Sequence, residues 1–118
     1  MSVQDFYAGI GGNYDNAKLR LMTDERMIKY LKKFSAYSDI TSLEKAVAEK
    51  DYQTIFEISH DIKGMCLNLE LTPLSQSSSA LCESVRGGKP NSDVEPLFEK
   101  YKQDLETVLC AIENQLGE

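Results

Sequence analysis

The chain has 118 residues, a hydrophobic fraction of 42% and a formal net charge of −6, which fit one globular domain over residues 1–118. The acidic balance argues against a nucleic-acid partner and against docking on an anionic membrane, because both need a basic protein surface. No apolar run approaches the roughly 20 residues of a membrane span, and the start lacks signal-peptide features, so we expect a cytoplasmic protein.

The first 22 residues are expected to form a short N-terminal segment, with short helices over residues 3–8 and 15–21. The glycines at positions 9, 11 and 12 lie between them. They lack the third glycine and the preceding strand of a dinucleotide-binding loop, so they indicate a loop or hinge.

Residues 24–49 are predicted to be helical, opened by Thr23 as the N-cap and by two acidic residues in the first turn. The pattern does not decide between one helix and two, because the apolar phase blurs around Ser38. A helix over residues 52–70 follows, with Asp51 as a plausible N-cap.

Two further helices are predicted over residues 72–86 and 92–116. In the first, Thr72 is the expected N-cap, followed by a proline at the first helical position, and Gly87 is the expected stop. In the second, Ser92 and Glu95 are read as a capping box. Apolar stripes run along both helices: Leu74, Ser78, Leu81 and Val85, then Val94, Phe98, Tyr101, Leu105, Val108 and Ile112.

Four main helices joined by short connections predict an all-α fold, an antiparallel four-helix bundle with an additional short N-terminal helix. The three cysteines are odd in number and form no C-x-x-C pair, so a disulfide framework or zinc site is not expected. We expect Cys66, Cys82 and Cys110 to be buried free thiols. No metal site is predicted, since the chain has a single histidine and therefore cannot supply the two E-x-x-H motifs of a di-iron bundle.

The helix over residues 52–70 carries that histidine, His60, on its outer face. At about 100° per residue, its core stripe lies on the opposite side: Ile55, Ile58, Ile62, Met65, Cys66 and Leu69. The outward neighbours are Phe56, Lys63, Gly64, Leu67 and Leu71. Apolar groups on an exposed face indicate a binding surface, although the N-terminal residues 3–21 are an equally good cover for Phe56 and Leu67.

The chemistry of this face suits phosphoryl transfer. An exposed imidazole is largely neutral and nucleophilic near pH 7. Lys63, three residues on, can reach the same spot and contact phosphoryl oxygens. Gly64 costs about 1 kcal/mol relative to alanine in a helix. It either clears space for a partner or permits close packing against a neighbouring helix. With no P-loop or kinase motif, we expect no enzyme and no cofactor, but a donor that arrives phosphorylated with its own Mg²⁺.

The run His60-Asp61-Ile62-Lys63-Gly64 resembles the H-x-[IL]-K-G pattern of the histidine phosphotransfer (HPt) family of two-component phosphorelays. Leu74, Leu81 and Arg86-Gly87 also fall where that family places similar residues. The resemblance implies a monomeric bundle that relays a phosphoryl group between aspartates of response-regulator receiver domains, or of a hybrid histidine kinase. It implies phosphorylation of His60, with Lys63 stabilising the phosphoryl group and Gly64 leaving room for the receiver.

The chain departs from the family pattern at several positions. Met65, Cys66 and Leu67 replace small residues, Glu70 replaces a glycine near the helix end, and Cys82 replaces a Glu or Gln, with Glu83 adjacent. These departures motivate an alternative, a helical adaptor that binds receivers without accepting phosphate. A third reading, part of a histidine kinase, needs an ATP-binding domain that is not visible in the sequence.

Overall fold

The computed structural model describes residues 2–38 and 40–116, which are almost entirely helical and include no strand. Seven α-helices and two short helical turns follow one another: α1 Val3–Ile10, α2 Tyr14–Leu21, α3 Asp24–Tyr37, α4 Ile40–Ala48, α5 Tyr52–Asn68, α6 Thr72–Ser84, a 3₁₀ turn Arg86–Gly88, α7 Val94–Ala111 and a π turn Ile112–Leu116. The predicted all-α fold is confirmed.

Helices α4 to α7 close a four-membered bundle. Helix α4 packs on α5, α5 on α6, α6 on α7, and α7 back on α4. Helix α3 extends this arrangement by packing on the π turn Ile112–Leu116. The connections are short, so consecutive helices run antiparallel.

The predicted helix 24–49 is divided into α3 and α4. Thr23 caps α3, because its side chain accepts a hydrogen bond from the Arg26 amide. Helix α3 ends at Ser38, which is buried and whose hydroxyl donates to the Phe34 carbonyl over 2.8 Å. The backbone of Ser38, with φ of −84° and ψ of 61°, is no longer helical, and this is where the helix breaks. Residue 39 lies outside the described residues.

The core is formed by the predicted stripes, with small residues between α5 and α6. All six stripe residues of α7 and its π turn are buried, as are the four of α6 and its C-cap. Helix α6 buries four serines, and α5 buries Ser59. Their hydroxyls donate to carbonyls three or four residues earlier, so these small polar groups are satisfied and α5 and α6 pack along their lengths.

Several cap or burial predictions are wrong. Helix α6 ends at Ser84 with Val85 as its C-cap, so Gly87, which lies in the following 3₁₀ turn, is not the residue that stops it. The N-cap of α6 is Leu71, which makes no side-chain cap bond, rather than Thr72. The N-cap of α7 is Asp93, whose side chain accepts from the Glu95 amide, so the Ser92–Glu95 capping box does not form. Cys110 is exposed, whereas Cys66 and Cys82 are buried as expected.

The N-terminal segment, residues 2–22, forms hydrogen bonds and an ion pair with the C-terminal end of α5. The Tyr7 hydroxyl donates to the Leu69 carbonyl over 2.7 Å. The Arg20 guanidinium donates to the carbonyls of Leu67 and Asn68 over 2.9 and 2.8 Å, and pairs with Glu70 over 2.9 Å. These bonds satisfy carbonyls that a helix end leaves without intrahelical partners.

Candidate functional site

The side chain of His60 lies on the exposed face of α5, and the predicted core stripe lies opposite it. Ile55, Ile62, Cys66 and Leu69 are buried, and Ile58 and Met65 are half-buried against the core. Ser59, which the apolar pattern did not single out, is also fully buried. A helix held on its inner side in this way gives the imidazole a fixed outward direction.

Lys63 and Gly64 lie one turn beyond His60 on the same face. Lys63 is half-buried, and within residues 2–38 and 40–116 its ammonium makes no ion pair. Gly64 is exposed, and a Cβ atom built on it would meet no atom within 4 Å. Gly64 therefore does not serve close packing against a neighbouring helix, and the space above it is open.

Phe56 and Leu67 flank the imidazole along the helix in different environments. The Phe56 ring is half-buried against the core, with its centroid 5.7 Å from that of the His60 ring. The Leu67 side chain is 54% exposed. The N-terminal segment reaches the Leu67 carbonyl through Arg20 but leaves the side chain uncovered.

Leu71 does not belong to this face, contrary to the helical projection. Helix α5 ends at Asn68, and Glu70 adopts a left-handed conformation with φ of 58°. The chain turns there, and Leu71 is fully buried at the start of α6. A projection at constant angle per residue fails once the helix has ended.

A charged pair from the next helix borders the Phe56 side of the site. The Arg86 guanidinium carbon lies 5.6 Å from the centroid of the Phe56 ring. Its Nε donates to the Glu83 carboxylate over 2.9 Å. Hydrogen bonding from Arg86, and further the positive charges of Arg86 and Lys63, hold the pKa of the Glu83 carboxyl below its ordinary value. The E-x-x-R spacing of Glu83 and Arg86 is the sequence signal for this pair.

The opposite side of the site carries acidic and aromatic groups. Asp61 accepts a long hydrogen bond of 3.5 Å from the hydroxyl of Tyr37, which is 58% exposed. An open, mostly apolar groove of about 270 Å³ lies between α3 and α5 beside them. It is lined by Tyr30, Lys33, Phe34, Tyr37, Met65, Asn68 and Leu69.

Residues 33–116 match the family model described as Hpt domain. The chain belongs to the Hpt domain family. It therefore has a phosphotransfer role in two-component signalling, as a carrier module rather than a kinase. No similar curated protein and no similar solved structure was found. Helices α1 and α2 precede the matched residues.

None of the helices in the described ranges is both long and apolar enough to cross a bilayer. Those ranges also contain no group of three His, Cys, Asp or Glu side chains placed to hold a metal ion.

Proposed function

We propose that this Hpt domain carries a phosphoryl group on His60 between aspartates of receiver domains. The observation that supports this most directly is the surroundings of the imidazole. It is exposed on a helix whose inner face is buried. Open space lies above Gly64, so a receiver can bring its aspartyl phosphate to the ring without displacing any group of this chain.

The proposed transfer breaks one phosphorus–oxygen bond and forms one phosphorus–nitrogen bond. A neutral imidazole nitrogen of His60 attacks the phosphorus in line, and the receiver aspartate leaves as a carboxylate. The ring proton is lost to solvent. The second transfer is the reverse reaction, with the aspartate of another receiver as the nucleophile, so no cofactor of this chain takes part. Mg²⁺ belongs to the receiver.

Lys63 is the electrostatic partner of the phosphoryl group in this proposal. Its position three residues after His60 places both on one face of α5, and its ammonium is not engaged in an ion pair within the described ranges. It is therefore available to a transferring group that carries negative charge on its peripheral oxygens.

The receiver surface is proposed to contact Gly64, Leu67 and the accessible edge of Phe56. Exposed apolar groups beside a reactive residue favour docking by burial of apolar area. We propose that the chain acts as a monomer, since this surface has to be open to two receivers in turn.

The test is phosphoryl transfer to the wild type and to His60→Gln from every phosphorylated receiver domain of the source organism. We expect an acid-labile, base-stable phosphate on the wild type alone, from at least one receiver. Circular dichroism and receiver binding verify that the variant folds and docks. Binding without phosphate on the wild type would instead establish the adaptor, and neither binding nor phosphate would contradict both functions.

A further inference from the structure

The groups around His60 are charged unequally on its two sides. Asp61 lies on the side facing α3, where it accepts from Tyr37, and the exposed Glu57, one turn before it, accepts from Gln53 over 3.0 Å. Lys63 lies on the side facing α6. Beyond it stand Arg86 and Glu83, which are joined to each other by two hydrogen bonds. On this α6 side Arg86 is bonded to the Glu83 carboxylate, and the charge of Lys63 acts on the same carboxylate without forming an ion pair.

The Arg86 guanidinium borders the site by its contact with the Phe56 ring. That ring is a common neighbour of the imidazole and the guanidinium, with centroid distances of 5.7 Å and 5.6 Å. The Arg86 side chain is 56% exposed, so it has room to reorient. If His60 is phosphorylated, the phosphoryl oxygens become a second set of hydrogen-bond acceptors for Arg86, besides the Glu83 carboxylate.

On α6 the carboxylate beside Arg86 is supplied by Glu83 and not by residue 82. Cys82 is fully buried, and burial orients it away from the solvent-facing ring. Glu83 is exposed at the outer edge of α6, three residues before Arg86. This is the spacing at which side chains on successive turns meet.

We propose, on the basis of the phosphocarrier function above, that Glu83 is a positioning residue that competes with the phosphoryl oxygens on His60 for the Arg86 guanidinium. In the free protein Glu83 holds Arg86 against Phe56. When His60 carries a phosphoryl group, its negative oxygens draw Arg86 away from Glu83. Because Glu83 competes for Arg86, the phosphoryl group on His60 is stabilised less by this chain, which favours its transfer to the next receiver.

The test measures the second ionisation of the phosphoryl group on His60 by ³¹P NMR. Phosphoramidate labels the protein without a receiver: its phosphorus–nitrogen bond breaks, the imidazole nitrogen bonds to phosphorus, and ammonia leaves with the ring proton. The chain has one histidine, so the phosphohistidine signal has one source. Nearby cations stabilise the phosphoryl dianion and so lower the pKa of the second ionisation, whereas nearby carboxylates raise that pKa.

We expect Glu83→Gln to raise the acid dissociation constant of the phosphoryl group about threefold, and Arg86→Gln to lower it. In the Arg86→Gln background the Glu83→Gln effect should fall to less than half. Glu44→Gln is the matched control, because it removes the same charge from a surface pair with Lys102, 2.9 Å long, between α4 and α7. It should leave the titration unchanged.

Three results would overturn the inference. They are a Glu83→Gln titration equal to that of Glu44→Gln, an undiminished Glu83 effect without Arg86, and failure of phosphoramidate to label the exposed ring. The first two leave the phosphocarrier function intact. A chain that is labelled by phosphoramidate but by no receiver would refute that function, while the effect of Glu83 is still measured.

Discussion

Gly64 is in the interior of α5, yet nothing in the described chain requires a glycine there. It has helical neighbours on both sides, and a Cβ atom would stand in open space. A glycine in a helix interior costs about 0.5–1 kcal/mol relative to alanine. Because no packing within the described residues offsets this cost, the glycine supports the proposal that a receiver approaches His60 over this position.

Substitutions at Gly64 separate folding from docking. We expect Gly64→Ala to stabilise the fold by about 0.5–1 kcal/mol in urea denaturation. Gly64→Leu should fold as well as the wild type and accept phosphate from phosphoramidate normally, but slow transfer from its receiver about tenfold or more. Gln103→Leu, on the exposed side of α7, is the control. A wild-type transfer rate for Gly64→Leu would show that the receiver does not approach over this position.

The outward direction of His60 and the place of Lys63 beside it were predictable from the sequence, whereas the neighbouring charges of Glu83 and Arg86 were not. The projection that placed His60 outward uses only residues inside α5, where the angle per residue is constant. It failed for Leu71, beyond the left-handed residue Glu70. Glu83 and Arg86 come from α6 and the turn after it, and their closeness to Phe56 depends on how α5 and α6 pack.

At the scale of the helix, an N-cap was predictable where only one residue before the helix has a side chain suited to capping. Thr23 and Asp51 both accept from the amide three residues on, as expected. At α7 two capping residues stand side by side, and Asp93 is used instead of Ser92. At α6 the chain enters from a buried leucine with no capping side chain, so the proline in the first turn is the local signal for where that helix begins.

Within the described ranges, positive φ occurs at three residues other than glycine: Met22 after α2, Lys50 after α4 and Glu70 after α5. The last two have the hydrogen bonds of a common helix-ending motif. Lys50 after α4 has φ of 57°, and its successor Asp51 donates its amide to the Ala46 carbonyl over 2.9 Å. Glu70 after α5 has φ of 58°, and Leu71 donates to Cys66 over 3.0 Å. These are the bonds of a Schellman motif, in which glycine is the usual residue because its lack of Cβ removes the left-handed penalty.

Replacement of Lys50 by glycine is therefore expected to stabilise the fold by about 1 kcal/mol, measured by urea denaturation. Lys50→Ala, which retains a Cβ, should bring no such gain. Glu70→Gly should gain less than Lys50→Gly, because it also removes the ion pair with Arg20. Equal stabilities for the glycine and alanine variants at position 50 would show that the left-handed conformation carries no strain there.

At the scale of the molecule, the N-terminal segment is part of the bundle although it lies outside the family match. Phe6 and Tyr7 are fully buried, and α1 packs on α7 and on the π turn. The sequence predicted two short helices here but not where they pack in the bundle, because that packing depends on contacts between distant parts of the chain. Tyr7 and Leu69 are 62 residues apart.

The buried tyrosines make the stability of the whole bundle sensitive to alkaline pH. Burial raises the pKa of Tyr7 and of Tyr101 far above the ordinary value, with further increases from Glu70 and Cys66 respectively. Burial likewise raises the pKa of Cys66 to about 12. In each case the folded protein holds a proton that the unfolded chain releases. The stabilisation is thus complete below the unfolded pKa values and is lost as the pH rises above them.

We expect the free energy of unfolding to fall as the pH is raised from 8 to 11, in urea denaturation at fixed ionic strength. Tyr7→Phe should flatten this fall and cost about 1–3 kcal/mol at neutral pH, because it leaves the buried Leu69 carbonyl without its donor. Tyr37→Phe, at an exposed site, should keep the wild-type slope. If Tyr7→Phe keeps that slope too, the hydroxyl is not held protonated by the fold. If it flattens the slope, the fold holds the Tyr7 hydroxyl protonated, and this bond to the end of the helix that carries His60 contributes to the stability of the whole bundle.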